Sequence, residues 1–218
     1  MKIVEIPHGL DLAAAAPGYV RSPGLHMSAL YGSLYQELEP KRFPKDGEPD
    51  PVRMEVGLAF EETLEAAIGQ RLFGARPGEL ATQHDDRCEH AAVVVEIGDD
   101  LCVCGAGVAY SPDFIFYNGV TRGGEFKATW MSCKKGIRDP KFNKWLTQMK
   151  AYGHHLRMTQ WLLFVLFING DYSYKPPYGG PHMRCWEFEF TKQEMADEWS
   201  ALCRHGRRVG LLPAKEAA

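Results

Sequence analysis

The stretch SPDFIFYNGVTRGGEFKATW, residues 111–130, decides how the rest of the chain is read. Phe114, Ile115, Phe116 and Tyr117 are aromatic or β-branched and predict a strand. Asn118-Gly119 is a strong hairpin signal, because both residues tolerate positive φ. Residues 125–130 predict the partner strand. Ser111-Pro112 leads into Asp113, which stands at the start of the first strand. Side chains alternate along a strand, so Glu125 and Lys127 share one face and Phe126 takes the other. The hairpin can therefore bring Asp113 beside Glu125. Two apposed carboxylates repel unless a cation lies between them, and oxygen ligands of this kind suit Mg²⁺ or Mn²⁺. A lysine beside such a cation can orient or deprotonate a water that attacks a phosphoryl group. The plain alternative is a surface hairpin with an incidental Glu-Lys pair.

Downstream, Asp139-Pro140 supplies an N-cap and a first helical residue, and predicts a helix to about residue 158. Gln148 and Tyr152 are four apart and share one face of it. An amide and a phenol so placed can hydrogen-bond a phosphate or a catalytic lysine, or be a polar pair on an amphipathic helix. Residues 161–168 are continuously apolar and predict a buried strand. Residues 185–190 alternate and predict a further strand at an edge. Thr191, with Glu194 three residues on, opens a closing amphipathic helix over 191–204.

Upstream, two strands are expected over 91–97 and 101–110, joined by a turn at Gly98-Asp99-Asp100. Before them, Asp50-Pro51 opens a helix with apolar residues at every fourth position, from Val52, Val56 and Phe60 to Leu72. Glu61 is the carboxylate on this helix nearest the apolar stripe, and Gly57 leaves space one turn earlier. A charged residue at the edge of a stripe is equally ordinary. Residues 1–50 hold six prolines and five glycines. They read as an irregular N-terminal extension packed on the core, with one helix over 28–38. The order is helix, strands, helix, strand, strand, helix, which is α/β with a mixed sheet. Residues 51–218 form the remainder of what reads as a single domain.

The chain has 218 residues, 45% hydrophobic and 24% charged. That composition excludes a disordered tail, a collagen-like chain and a coiled coil. The longest apolar run, 161–168, falls far short of the ~20 residues that span a bilayer, so no membrane role is expected. Net charge is −3, but residues 122–150 carry +6 and the remainder −9. A basic stripe in an acidic protein marks either a polyanion site or a solvated helix face. Lys134, Lys135, Arg138 and Lys141 follow the Glu-Phe-Lys strand and are candidates for DNA phosphate contacts. Residues 1–10 lack the apolar core of a signal peptide, so the six cysteines read as reduced thiols of a cytoplasmic protein. Cys102 and Cys104, with Cys88, His84 and His90 nearby, lack the Cys-x-x-Cys knuckle of a zinc site. His154 and His155 adjoin the Gln-x-x-x-Tyr helix, where a phosphate contact competes with simple packing. No P-loop and no Gly-x-Ser-x-Gly elbow occurs.

Gly57-x-x-x-Glu61, Ser111-Pro112-Asp113, Glu125-Phe126-Lys127 and Gln148-x-x-x-Tyr152 follow one another on helix, strand, strand and helix. In this order the chain resembles the PD-(D/E)xK nuclease superfamily, and within it the branch of lambda exonuclease, the YqaJ-type viral recombinases and the RecB nuclease domain. Gly24-Leu25-His26-Met27-Ser28 is similar to an N-terminal element of phage members. The resemblance spans about residues 24–190. It implies a restriction-endonuclease-like αβββαβ core, a mixed central sheet flanked by helices, and a divalent metal, Mg²⁺ or Mn²⁺. It implies Glu61, Asp113, Glu125 and the Phe126 carbonyl as metal ligands, with Asp113, Glu125 and Lys127 carrying the chemistry. Ser111, Gln148, Tyr152, Lys134, Lys135 and Lys141 would meet the substrate. Many RecB-like members have histidine where Glu61 stands, and lambda-like members have glutamate. Only Cys185 and Cys203 lie near the C-terminus, so no iron–sulfur cluster is expected. The implied activity is hydrolysis of DNA phosphodiesters, by an exonuclease of phage-type recombination or DNA processing. A structure-specific endonuclease on the same fold, or a catalytically silent DNA- or protein-binding module, is the alternative. The resemblance also allows a homo-oligomer and a recombination or single-strand annealing protein as partner.

Overall fold

In chain order the elements are β1 (Leu25–His26), α1 (Met27–Leu38), β2 (Val95–Glu96), β3 (Cys102–Val103) and β4 (Val108–Tyr110). They continue with β5 (Phe114–Tyr117), β6 (Thr121–Thr129), α2 (Lys141–Leu156), β7 (Gln160–Phe167), β8 (His182–Glu189) and α3 (Lys192–Arg208). This computed structural model describes residues 24–43, 55–57, 59–60, 95–96, 102–103, 108–110, 112–117, 121–173, 175 and 179–214. The architecture is the expected α/β, with a mixed sheet and flanking helices.

One sheet runs β5-β6-β7-β8, and a second runs β1-β4-β3-β2. β5 and β6 form the expected antiparallel hairpin, with Phe114 opposite Gly124 and Tyr117 opposite Thr121, but β6 begins four residues before the partner strand expected over 125–130, because Thr121–Gly124 pair along the whole of β5. β6 and β7 are parallel, with Glu125 beside Leu163 and Lys127 beside Val165. A parallel pair needs a crossover, and α2 supplies it. β8 closes the edge antiparallel to β7, its exposure alternating as expected of an edge strand. The stretch 101–110 departs from expectation. It is not one strand but two, β3 and β4, paired with each other antiparallel. Gly105 and Gly107 lie between them and weaken a continuous strand.

Helix starts follow the capping chemistry. Thr191 accepts from the Glu194 N–H, and the Glu194 side chain accepts from the Thr191 N–H, a complete capping box. At α2 the helix begins one residue after Pro140, and Asp139 Oδ1 accepts from the Lys141 N–H at 3.0 Å. Residues 55–57 and 59–60 are helical, within the helix expected from residue 51, although Val56 is exposed. The rest of that helix lies outside the described residues.

The core gathers on the α2 side of the sheet. Trp161, Leu163, Val165 and Phe167 alternate along β7 and pack with Phe142, Met149 and Tyr152 of α2. Met27 and Leu30 of α1, and Met195 and Leu202 of α3, join the same cluster. Each such side chain contributes roughly 1.5–3 kcal/mol by leaving water. The buried face of α1, Met27, Leu30, Tyr31 and Tyr35, is thus part of the core. β1 runs parallel to β4, with Leu25 opposite Val108. A polar chain ties the three helices: Tyr35 OH bonds Thr147 Oγ1 at 3.1 Å, and Thr147 donates to Glu198 at 2.8 Å.

Candidate active site

Glu125 is fully buried on β6, facing α2. Burial of a carboxylate demands compensation, and two donors supply it on one oxygen. Gln148 Nε2 donates to Glu125 Oε1 at 2.5 Å, and Lys127 Nζ donates to the same oxygen. Lys127 reaches it because residues two apart on a strand share a face. Gln148 Nε2 also lies 3.1 Å from Tyr152 OH, one turn further along α2. Gln148 and Tyr152 are themselves buried. Gln148 Oε1 is buried and has no hydrogen-bond partner among the described residues.

Asp113 stands one residue beyond the Phe114–Gly124 pair, a register that sets it beside Glu125. Its Oδ2 accepts from the Phe126 N–H at 2.5 Å. The hairpin thus brings Asp113, Glu125 and Lys127 together, and α2 adds Gln148 and Tyr152. Phe126 points to the other face of the sheet, where it meets Phe164 at 5.7 Å between ring centroids.

Burial pushes the Asp113 carboxyl above its ordinary range, while Lys127 and the Phe126 N–H act against that. Burial also works against the Lys127 ammonium, but Glu125 and Asp113 outweigh it and raise the group above an ordinary lysine. Lys127 is therefore the positive counter-charge of two carboxylates. Burial first, then the nearby Glu125, holds the Tyr152 phenol well above its usual range, so it is neutral at all working pH values.

Hard oxygen donors from Asp113 and Glu125 fit a divalent cation such as Mg²⁺ by their chemistry. Among the described residues, no group of three or more acids, histidines or cysteines gathers to hold a metal. Glu61 and Ser111 lie outside the described residues.

The lysines divide into two groups. Lys134 pairs with Asp171 at 2.9 Å and Lys135 with Asp139 at 2.8 Å, both on the loop before α2. Both lysines are exposed, but Asp171 and Asp139 are largely covered, so each pair is partly shielded from water. Lys141, at the start of α2, donates to Thr129 Oγ1 at 3.3 Å, at the end of β6. Lys144 lies a turn later, and its ammonium sits over the rings of Tyr31 at 5.5 Å and Phe43 at 5.0 Å. Tyr31 and Phe43 were not legible as neighbours of the site, because their approach depends on the long-range placing of α1. Lys144 had two signals in the sequence, its place in the basic stripe of 122–150 and its spacing of four before Gln148. His155 is buried and stands edge-on to Trp199 at 4.3 Å, and His154 stacks on the same indole at 6.4 Å. Among the described residues Cys133, Cys185 and Cys203 form no disulfide.

No family model matches the chain, and no curated protein matches it in sequence. Among solved structures, the chain is similar to a phage-related exonuclease from Haemophilus somnus 129PT, with 11% identity and a TM-score of 0.47. That alignment covers 83% of this chain and 78% of the other. An alkaline exonuclease (LHK-Exo) from Laribacter hongkongensis aligns with 18% identity and a TM-score of 0.45, over 91% of this chain and 93% of that one. LHK-Exo in complex with dAMP aligns with 16% identity and a TM-score of 0.46, over 86% and 90%.

Proposed function

We propose that this chain is a metal-dependent deoxyribonuclease that hydrolyses phosphodiester bonds, acting as an exonuclease. One observation carries the reading: a buried glutamate, Glu125, receives Lys127 and Gln148 on one oxygen, with Asp113 set beside it by the hairpin register. A purely structural hairpin has no need to set a fully buried carboxylate and a half-buried one around a single lysine, since burying charge is costly.

In this reading Glu61, Asp113, Glu125 and the Phe126 carbonyl hold Mg²⁺ or Mn²⁺. The ion, when bound, stabilises negative charge on the phosphoryl oxygens. Lys127 has three N–H donors, and Glu125 takes one of them. Another can orient a water opposite the leaving oxygen. Attack forms a new P–O bond as the bond from phosphorus to the leaving O3′ breaks; the water's proton passes to solvent and the O3′ takes one up, which leaves a 5′-phosphate. Gln148 holds Glu125 in place, and neutral Tyr152 adds no charge that would repel a phosphate. Lys134, Lys135, Lys141 and Ser111 meet the strand's phosphates. The setting we infer is phage-type recombination or DNA processing in the cytoplasm, as a homo-oligomer or beside an annealing protein.

The test is Mg²⁺- or Mn²⁺-dependent degradation of end-labelled linear DNA beside closed circular DNA, with Lys127→Ala as control. Loss of the linear DNA alone, abolished in the variant, is the expected result. Cutting of the circle would make the protein an endonuclease on the same site. Binding without cleavage under either metal would leave a silent binding module.

A further inference from the structure

Lys144 has a setting that the catalytic roles above do not use. It is half-buried, and its ammonium lies over two aromatic rings, Tyr31 of α1 and Phe43. Such rings attract a cation and hold it in place without accepting all of its hydrogen bonds. A lysine ammonium carries three donors. Among the described residues, none of the hydrogen bonds or ion pairs engages Lys144. Its charged neighbours are Lys127 and Lys141, and burial together with both lowers its basicity. Lys127 and Lys141 are thus near enough to act on it, and Lys127 is itself compensated by Glu125 and Asp113.

Helical geometry places these groups in a line. At about 100° per residue, Lys141, Lys144, Gln148 and Tyr152 fall within an arc of roughly 80° on α2. Lys144 and Gln148 are separated by one turn, about 6 Å along the axis. That is comparable to one nucleotide step along a strand. The face therefore begins with Lys141 and Lys144 and ends at the buried Glu125 centre.

We propose that Lys144, steadied by Tyr31 and Phe43 and assisted by Lys141, binds a backbone phosphate one step along the strand from the phosphate at Glu125 and Lys127. This rests on the nuclease reading for the identity of the second phosphate. Of the basic residues that follow the Glu-Phe-Lys strand, Lys134 and Lys135 have acidic partners, whereas Lys144 faces aromatic rings and is placed to receive one.

The experiment measures DNA binding of the full chain against salt in Ca²⁺, and steady-state cleavage in Mg²⁺, for wild type, Lys144→Gln and Lys144→Arg. Glutamine keeps most of the stem against the rings, and thermal melts confirm that each variant is folded. Lys144→Gln is expected to weaken binding about tenfold. It should also reduce the slope of log affinity on log salt by about 0.9 for duplex DNA. KM should rise more than kcat falls, and Lys144→Arg should keep the wild-type slope. A folded Lys144→Gln with unchanged slope and KM would overturn the proposal, as would Lys144→Arg losing the slope as fully as glutamine does. Failure of the nuclease reading looks different. Wild type would then cleave nothing in any metal, while the slope difference at Lys144 would still support the phosphate contact. Loss of all DNA binding in wild type would overturn both.

Discussion

Replacing Gln148 by methionine isolates what holds Glu125. Methionine matches the length of glutamine and removes its amide. The bond to Glu125 Oε1, at 2.5 Å, has an ionised acceptor and is worth about 1.5–3 kcal/mol. The contact to Tyr152 OH, at 3.1 Å, is neutral and worth about 0.5–1.5 kcal/mol. Against these losses stands Gln148 Oε1, buried without a hydrogen-bond partner among the described residues. Removing such an atom recovers about 1–3 kcal/mol. The net loss is then about 1–2 kcal/mol, a fall in Tm of roughly 2–8 °C for a chain of this size. The effect on cleavage should be much larger. Groups that orient a metal-ligating carboxylate typically control about 10–100-fold in activity or metal affinity. Calorimetry and single-turnover cleavage of labelled DNA, measured on the same preparation, separate the two effects. A folded Gln148→Met that cleaves at the wild-type rate would refute the assignment of Gln148 to the site. A loss of more than about 5 kcal/mol would show that the amide is chiefly a structural brace.

Two further outcomes follow from the packing and charge. A Cβ at Gly123 would stand 2.6 Å from the Trp161 ring, which is fully buried and cannot retreat. Gly123→Ala should therefore cost about 1–3 kcal/mol, read as a lowered Tm, and Trp161→Phe in the same chain should restore part of it, because the smaller ring leaves room. His205 is buried, and burial holds its imidazole below the ordinary value near 6.5, with Arg208 adding to this and Glu37 opposing it. A depressed histidine favours the neutral form in the fold. Its contribution is present in full above about pH 6.5 and is lost as pH falls through the lower folded value. Thermal melts from pH 7.5 to 5 should show a steeper fall for wild type than for His205→Gln, which does not ionise; parallel curves would sink this assignment.

The local parts of the fold were legible because local chemistry decides them. Asp139-Pro140 and the Thr191–Glu194 box each satisfy backbone groups within a few residues, and each marks the start of its helix to within a residue or so. The Gln148–Tyr152 pair was legible for the same reason, since helical spacing alone brings the two together. The split of 101–110 was not legible, because apolar residues suit a strand on either side of Gly105 and Gly107, and only the pairing of Val103 with Ala109 reveals two. Contacts made at long range were out of reach. Nothing near Lys144 in sequence announces Tyr31, and the pairing of Leu25 with Val108 depends on the whole fold. Likewise, a count of lysines along 134–144 cannot reveal that Lys134 and Lys135 have acidic partners while Lys144 faces aromatic rings.

The same long-range packing sets the geometry of the site. Gly123 on β6 and Gly153 on α2 both leave room for Trp161, since a Cβ at either would crowd its indole, at 2.6 and 2.9 Å. The indole N–H donates to the Met158 carbonyl at 3.0 Å, which locks the ring against the end of α2. Trp161 is thus the spacer between β6 and α2. Glu125 lies two residues beyond Gly123, and Gln148 lies five before Gly153. Their 2.5 Å bond spans the same gap that Trp161 sets. A change in that gap of a few tenths of an ångström would be felt at Glu125 before it was felt at any solvent-exposed lysine. Stability and the candidate chemistry are therefore coupled through one side chain, and Gly123→Ala should lower cleavage by moving Glu125 away from its amide as well as lowering Tm.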